Sequence, residues 1–193
     1  MIESGSDRYV FMLWNLTLAV IPLFLAIWLK VISKNKLFIT PKWLVIFGLW
    51  LVVLPNSFYM VTDLLHLRKT QEVSLIYDVI LLESFIASGL ILGLISLFLV
   101  HRVLQKHFSG HRSNVIMIII LALVSFAIYL GRYSRWNSWD LLFSPMGLIF
   151  DVSDQIVDPL ANKSTYIVTI LFFLFLSSIY WVVYELAGML SKK

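Results

Sequence analysis

Residues 75–100 read LIYDVILLESFIASGLILGLISLFLV, a run in which Asp78 and Glu83 carry the only charges. A helix needs about 20 mostly apolar residues to cross roughly 30 Å of hydrocarbon, where it must pair all its own backbone groups. This stretch is long and apolar enough to span a membrane. Working outward, four more stretches meet the same test, so the expected spans run approximately 9–29, 43–61, 75–100, 115–131 and 165–186. The whole chain agrees: 193 residues, 60% hydrophobic and 13% charged, with a mean hydropathy of +0.90. A soluble domain draws about a quarter of its residues from Asp, Glu, Lys and Arg. The expected fold is therefore all-α, a polytopic membrane helix bundle forming a single domain over residues 1–193.

Composition also excludes several functions. There is no cysteine, hence no disulfide framework and no thiolate nucleophile. The 15 basic residues are scattered among apolar runs and build no patch for nucleic acid. The first span follows Glu3, Asp7 and a single Arg8, which is not the positively charged lead of a signal peptide, so it is expected to be retained.

Lys and Arg on alternate sides of the spans set the orientation. Lys30, Lys34, Lys36, Lys42, Arg102, Lys106, Arg112, Lys192 and Lys193 fall on one side; Arg8, Arg68, Lys69, Arg132, Arg135 and Lys163 fall on the other. Nine against six predicts an outer N-terminus and a cytoplasmic C-terminus in the cell (inner) membrane. The segment between the fourth and fifth spans is apolar but carries Asp151, Asp154 and Asp158 at i, i+3 and i+7. With Ser144-Pro145 as a start and Pro159 as a stop, it predicts an interfacial or re-entrant amphipathic helix over approximately 145–158.

Polar groups at membrane depth are the functional candidates, because burying a carboxylate there costs at least about 2.5–3.5 kcal/mol. After Pro55, where a kink is expected, Asn56, Tyr59, Asp63 and His66 would share one stripe of a continued helix, within an arc of about 80°. Asp78 falls on the same face as Gly89 and Gly93, a small-xxx-small pair suited to close helix packing or to a homo- or hetero-oligomer. Glu83 points about 140° away, so the two carboxylates do not form an acid/base pair. The fourth span is followed by Gly131-Arg132-Tyr133-Ser134-Arg135-Trp136-Asn137-Ser138-Trp139-Asp140. Arg132 and Arg135 are anion-binding groups, with Trp136, Asn137 and Asp140 beside them. The ends of spans two and four and the start of span three lie on the same side, so these residues are expected to converge there. His101, His107 and His111 fall on the opposite side and read as a solvated linker.

The segments Leu54-Pro55-Asn56-Ser57-Phe58-Tyr59, Thr62-Asp63-Leu64-Leu65-His66-Leu67, Tyr77-Asp78 and Gly131 to Asp140 resemble the signature segments of the bacterial membrane proteins catalogued as domain of unknown function thirteen-sixty-one. That family commonly has a small residue and Pro after the Asn, where Ser57-Phe58 stands here. The resemblance implies a multi-pass bacterial membrane protein and no particular reaction or cofactor.

Three functions compete on the residues alone. One is an outer-face site for a polar or anionic small molecule or lipid headgroup, with Arg132 and Arg135 as anion contacts, Asp63 and His66 for proton transfer, and Asn56 and Tyr59 for orientation. A metal form of that site would use Asp63 and His66 with Asp78 or Asp140. The second is a transporter or channel subunit with Asp63, Asp78 and Glu83 on a polar path. The third is an assembly partner of another membrane protein, with the polar cluster as an internal clasp.

Overall fold

A computed structural model describes residues 10–33, 40–66, 75–158 and 162–190, and every regular element among them is helical. The elements are α1 (Val10–Ile32), α2 (Pro41–Val53), α3 (Pro55–Tyr59), a 3-10 segment (Met60–His66), α4 (Leu75–His107), α5 (Gly110–Tyr129), a π segment (Leu130–Ser134), α6 (Asp140–Phe143), α7 (Pro145–Val157) and α8 (Lys163–Leu190). Five stretches are long and apolar enough to cross a membrane: Met12–Ile32, Pro41–Leu64, Ile76–His107, Gly110–Ser134 and Lys163–Met189. The expected membrane helix bundle is thus the observed fold, with a third span that extends past residue 100. The His101–His111 stretch is correspondingly not a linker. It continues α4 to His107 and starts α5 at Gly110, and His101 is fully buried beside Gln105.

The chain divides into two compact units, residues 1–107 and 108–193. In the first, the second span is interrupted where the proline predicts it. Pro55 has no N–H to offer the carbonyl of Leu51, so α2 stops at Val53 and α3 restarts with Pro55 in its first turn. Thr40 caps α2 by accepting from the Trp43 N–H at 3.2 Å.

A ladder of hydrogen bonds holds the first unit together, and it fixes the strand of contacts between helices. Asn15 of α1 donates to Asp63 at 3.2 Å, the Ser57 hydroxyl donates to the Ala19 carbonyl at 2.9 Å, and the Ser96 hydroxyl donates to the Pro22 carbonyl at 3.0 Å while accepting from the Trp50 indole at 2.8 Å. The second span therefore runs antiparallel to both α1 and α4. Pro22 lies inside α1 and has no N–H to offer the Leu18 carbonyl, one residue before the carbonyl that Ser57 uses. Because lipid is as apolar as a leucine side chain, such bonds and close packing, rather than expulsion of water, hold spans together.

The close packing comes from Gly89 and Gly93. A Cβ on Gly89 would stand 2.7 Å from the Ser57 carbonyl oxygen, and one on Gly93 would stand 2.5 Å from the Phe58 ring. This face of α4 is thus occupied by the chain's own α3, and the contact that the small residues offered to a second copy is an internal one. Below it, Met12, Ala19, Met60, Leu82 and Ile86 form a buried cluster.

In the second unit, α5 packs against α8. Ser113, Met117, Ile120, Leu121, Val124 and Ile128 make the buried stripe of α5, at the spacing of one helix face. The opposite side of α8 exposes Ile167, Ile170, Leu171, Leu174, Val182 and Leu186, as a lipid-facing surface does. The expected amphipathic helix over 145–158 is present as α7, none of whose residues is buried.

Candidate functional site

The sequence candidates fall into two groups, one in each unit. In the first unit they stand on the interrupted second span and the start of α4. From Met60 the backbone turns as a 3-10 helix, about 120° per residue rather than 100°, and the Thr62 hydroxyl donates to the Tyr59 carbonyl at 2.7 Å. The continuous α-helical stripe expected for Asn56, Tyr59, Asp63 and His66 is therefore broken. Three-residue spacing puts Asp63 and His66 in register with Met60. The burial follows this register: Met60 and Asp63 are each 1% exposed, whereas Asn56 and Tyr59 are half-buried. The side chain of His66 lies outside the described residues.

Seven residues make a long 3-10 segment, since runs beyond three or four are uncommon and often mark hinges or strained functional segments. Here it carries Asp63 to α1, where its Oδ2 accepts from the Asn15 amide. Asn15 is a participant that sequence reasoning passed over; its signal was a lone amide in an apolar first span. Asp78 is 1% exposed and lies one turn before Leu82, a member of the buried cluster that also includes Met60. Two buried carboxylates thus belong to the same end of the unit, where α1 and α4 begin and the second span finishes. Glu83, in contrast, is exposed, consistent with its opposite azimuth on α4.

The second group surrounds the end of the fourth span. After α5 the helix widens into the π segment Leu130–Ser134, and the Arg135 and Trp136 N–H groups both return to the Leu130 carbonyl. Arg135 stands at φ 59°, ψ 29°, among the described residues the one non-glycine with positive φ. That left-handed conformation costs an L-residue about 1–2 kcal/mol, and both π-bulges and such outliers gather at functional sites. The turn throws the Arg135 side chain outward and exposed, while Arg132 remains half-buried. Trp136 then donates its indole N–H to Asp151 of α7 at 2.7 Å, so Asp151 is a clasp rather than part of a solvated face; Asp154 and Asp158 are exposed. Gly147 leaves room for this ring, since a Cβ there would stand 3.1 Å from Trp136 Cη2.

Asn137 and Asp140 prove to be partners in a tight turn. Asp140 Oδ2 accepts from the Asn137 backbone N–H at 2.7 Å, and the Asp140 N–H donates to the Asn137 carbonyl at 3.0 Å. Their shared role is to shape the loop that follows Trp136. At the other end of α7, Thr165 bonds Gln155, and the Tyr166 hydroxyl donates to the Ile156 carbonyl at 3.1 Å. Among the described residues no group of three or more His, Asp or Glu side chains gathers as a metal site would require.

Comparison with curated proteins and with solved structures finds no match. A family profile does match, over residues 14–179. That range takes in the interrupted second span, the start of α4 and the π turn with its two arginines, and the chain belongs to the family described as protein of unknown function (DUF1361).

Proposed function

We propose that the first unit holds a membrane-embedded site for a polar small molecule or lipid headgroup, centred on Asp63 with Asn15, Asn56, Tyr59 and Asp78. The observation that carries this reading is the broken second span, which brings a carboxylate 1% exposed against an amide of α1. Non-helical or broken-helix backbone at membrane depth is tolerated where it is buried in protein or lines a polar cavity, and membrane proteins place binding sites at such breaks. Carboxylate, amide and phenol side chains together favour a bound group rich in hydrogen-bond donors, such as an amine or a polyol. His66 joins Asp63 in this reading as the proton-transfer or ligand-contacting residue. Arg132 and Arg135, in the second unit, are the proposed contacts for anionic groups.

The proposed setting is a bacterial inner membrane with the N-terminus outside. Because the chain has no cysteine, single cysteines at 66 and 137 are clean probes; both are expected to react with an impermeant reagent from the outer side, and labelling from opposite sides would overturn the orientation. For the site itself, thermal stabilisation of purified protein by ethanolamine or glycerol is expected to saturate and to disappear in Asp63→Asn with insertion intact. Equal stabilisation of the variant refutes the assignment. The same broken span favours a transporter as the second reading, for which the discriminating result is solute flux into liposomes that Asp63→Asn abolishes.

A further inference from the structure

Hydrogen bonds join α7 to the chain on both sides of it, and they fix which of its faces is left over. The fourth and fifth apolar stretches are Gly110–Ser134 and Lys163–Met189, and α7 lies between them in the chain. Gly147, Leu148, Asp151, Val152 and Gln155 are its half-buried residues, at the spacing of one helix face. Gly147 stands against the Trp136 ring, Asp151 accepts from the Trp136 indole at 2.7 Å, and Gln155 bonds Thr165. The polar side chains of this face are thus turned toward the second unit and satisfied there.

The large apolar side chains point the other way. At about 100° per residue, Met146, Ile149, Phe150, Ile156 and Val157 fill an arc of about 120°, centred about 170° from the half-buried face. All five are exposed, Phe150 at 68% and Val157 at 81%. A surface helix of a water-soluble domain buries such a stripe against the core; α7 turns it outward.

Depth decides what covers the stripe. Thr165 and Tyr166 lie in the first turn of α8, inside the Lys163–Met189 stretch, and the Tyr166 hydroxyl donates to the Ile156 carbonyl at 3.1 Å. The C-terminal half of α7 is therefore level with the first turn of a span, not in the water beyond it. The exposed apolar row of α8 starts with Ile167, so that lipid-facing surface begins where α7 is attached. Tyr133 and Trp139, exposed near the same end of the unit, are of the types that gather at membrane–water boundaries. Helix–helix contacts in lipid are built on small residues, whereas the stripe is made of large ones, with Ser153 the one small side chain among them.

We infer that α7 lies immersed in the leaflet at this end of the second unit, its stripe against the acyl chains of the lipids. Interfacial helices bury their apolar face about 5–10 Å into the boundary between headgroups and acyl chains. Asp154, exposed and about 60° round the helix from Asp151, marks the edge of the stripe that meets water. The lipid-contacting surface of the protein thus includes a helix that does not span. This inference does not rest on the proposed Asp63 site, which lies in the other unit and shares none of these residues.

The chain has no cysteine, so Ile149→Cys, Asp154→Cys, Val157→Cys and Leu171→Cys each give full-length protein with one attachment point for a nitroxide. In phosphatidylcholine vesicles, electron paramagnetic resonance reads collisions with oxygen, which concentrates in lipid, and with a nickel chelate, which stays in water. Nitroxides at 149 and 157 are expected to match the one at 171, the lipid-facing reference on α8, in oxygen collisions. They are also expected to meet the nickel chelate several-fold less often than the one at 154. Each variant at 149 or 157 removes one exposed side chain and leaves the rest of the stripe in place. Water-like collisions at 149 and 157 would overturn the inference. So would shielding of both positions from oxygen and nickel alike, the signature of a protein contact with a second copy or another span.

Discussion

Gly89→Ala tests whether α3 and the 3-10 segment are held against α4 as tightly as the geometry requires. The added Cβ would come within 2.7 Å of the Ser57 carbonyl oxygen and 2.9 Å of Met60 Sδ. An ordinary contact needs about 3.4 Å, so the helices must part by about 0.7 Å. The nearer obstacle is backbone, which no rotamer change moves aside. Overpacking of this kind costs about 1–3 kcal/mol. Replacing a helical glycine also adds up to about 1 kcal/mol of intrinsic helix stability, but Gly48→Ala and Gly188→Ala gain the same term and meet nothing within 4 Å. Propensity therefore cancels in the comparison, and Gly89→Ala is expected to melt below either control by about 2–12 °C, taking 2–4 °C per kcal/mol for a chain of this size. Thermal unfolding of the three variants in one detergent reads this directly. Because Met60 leads into Asp63, the same separation is expected to weaken headgroup-analogue binding. A Gly89→Ala protein as stable as the controls would refute the packing of α3 on α4.

Asn15→Ala removes a partner of a buried carboxylate and is expected to cost about 1–3 kcal/mol, with Asn15→Asp worse still because it sets two carboxylates together; an Asn15→Ala protein of wild-type stability in chemical unfolding would remove Asn15 from the site. Arg135→Gly is expected to leave stability unchanged or raise it by about 1 kcal/mol, since glycine accepts φ 59° without strain, whereas Arg135→Val is expected to destabilise; a reversed order in thermal melts refutes the left-handed turn. Trp136→Phe deletes the indole donor to Asp151 at a cost of about 1–2 kcal/mol, and amide exchange in residues 145–157 is expected to rise several-fold, with unchanged exchange in α7 counting against the clasp.

The spans were legible because a membrane asks a simple question of sequence. Twenty or so apolar residues either occur together or do not, and the five expected stretches lie within the five observed helices to within a few residues at most ends. Pro55 was equally legible, since a missing N–H breaks a helix whatever surrounds it. The 3-10 geometry after Met60 was not, because α and 3-10 helices share their residue preferences and differ only in which carbonyl each N–H finds. That one ambiguity shifted Asp63 from the row of Tyr59 to the row of Met60. The left-handed turn at Arg135 and the Trp136–Asp151 bond were not legible for a related reason: a positive φ and a 15-residue-distant indole bond are set by how the chain turns after the span, and nothing in the local pattern of arginines and tryptophans specifies that turn.

Asn15 shows what such misses have in common. A lone amide in an apolar span carries almost no local information, and its meaning comes from what lies opposite. Opposite it lies Asp63, and only because α1 and the second span run antiparallel with Ser57 on Ala19 and Trp50 tied through Ser96 to Pro22. The small residues of α4 set that register: Gly89 and Gly93 admit α3 so closely that Met60 sits in the cluster with Met12 and Leu82, leaving Asp63 one 3-10 turn further on, level with Asn15. Glycines that looked like a docking surface and an amide that looked like nothing are thus two ends of one arrangement. It follows that, if Asp63 binds a ligand as proposed, the stability of the α3–α4 contact and that binding are coupled. A glycine variant that loosens the first without touching the second would show that Asp63 is placed by α1 alone.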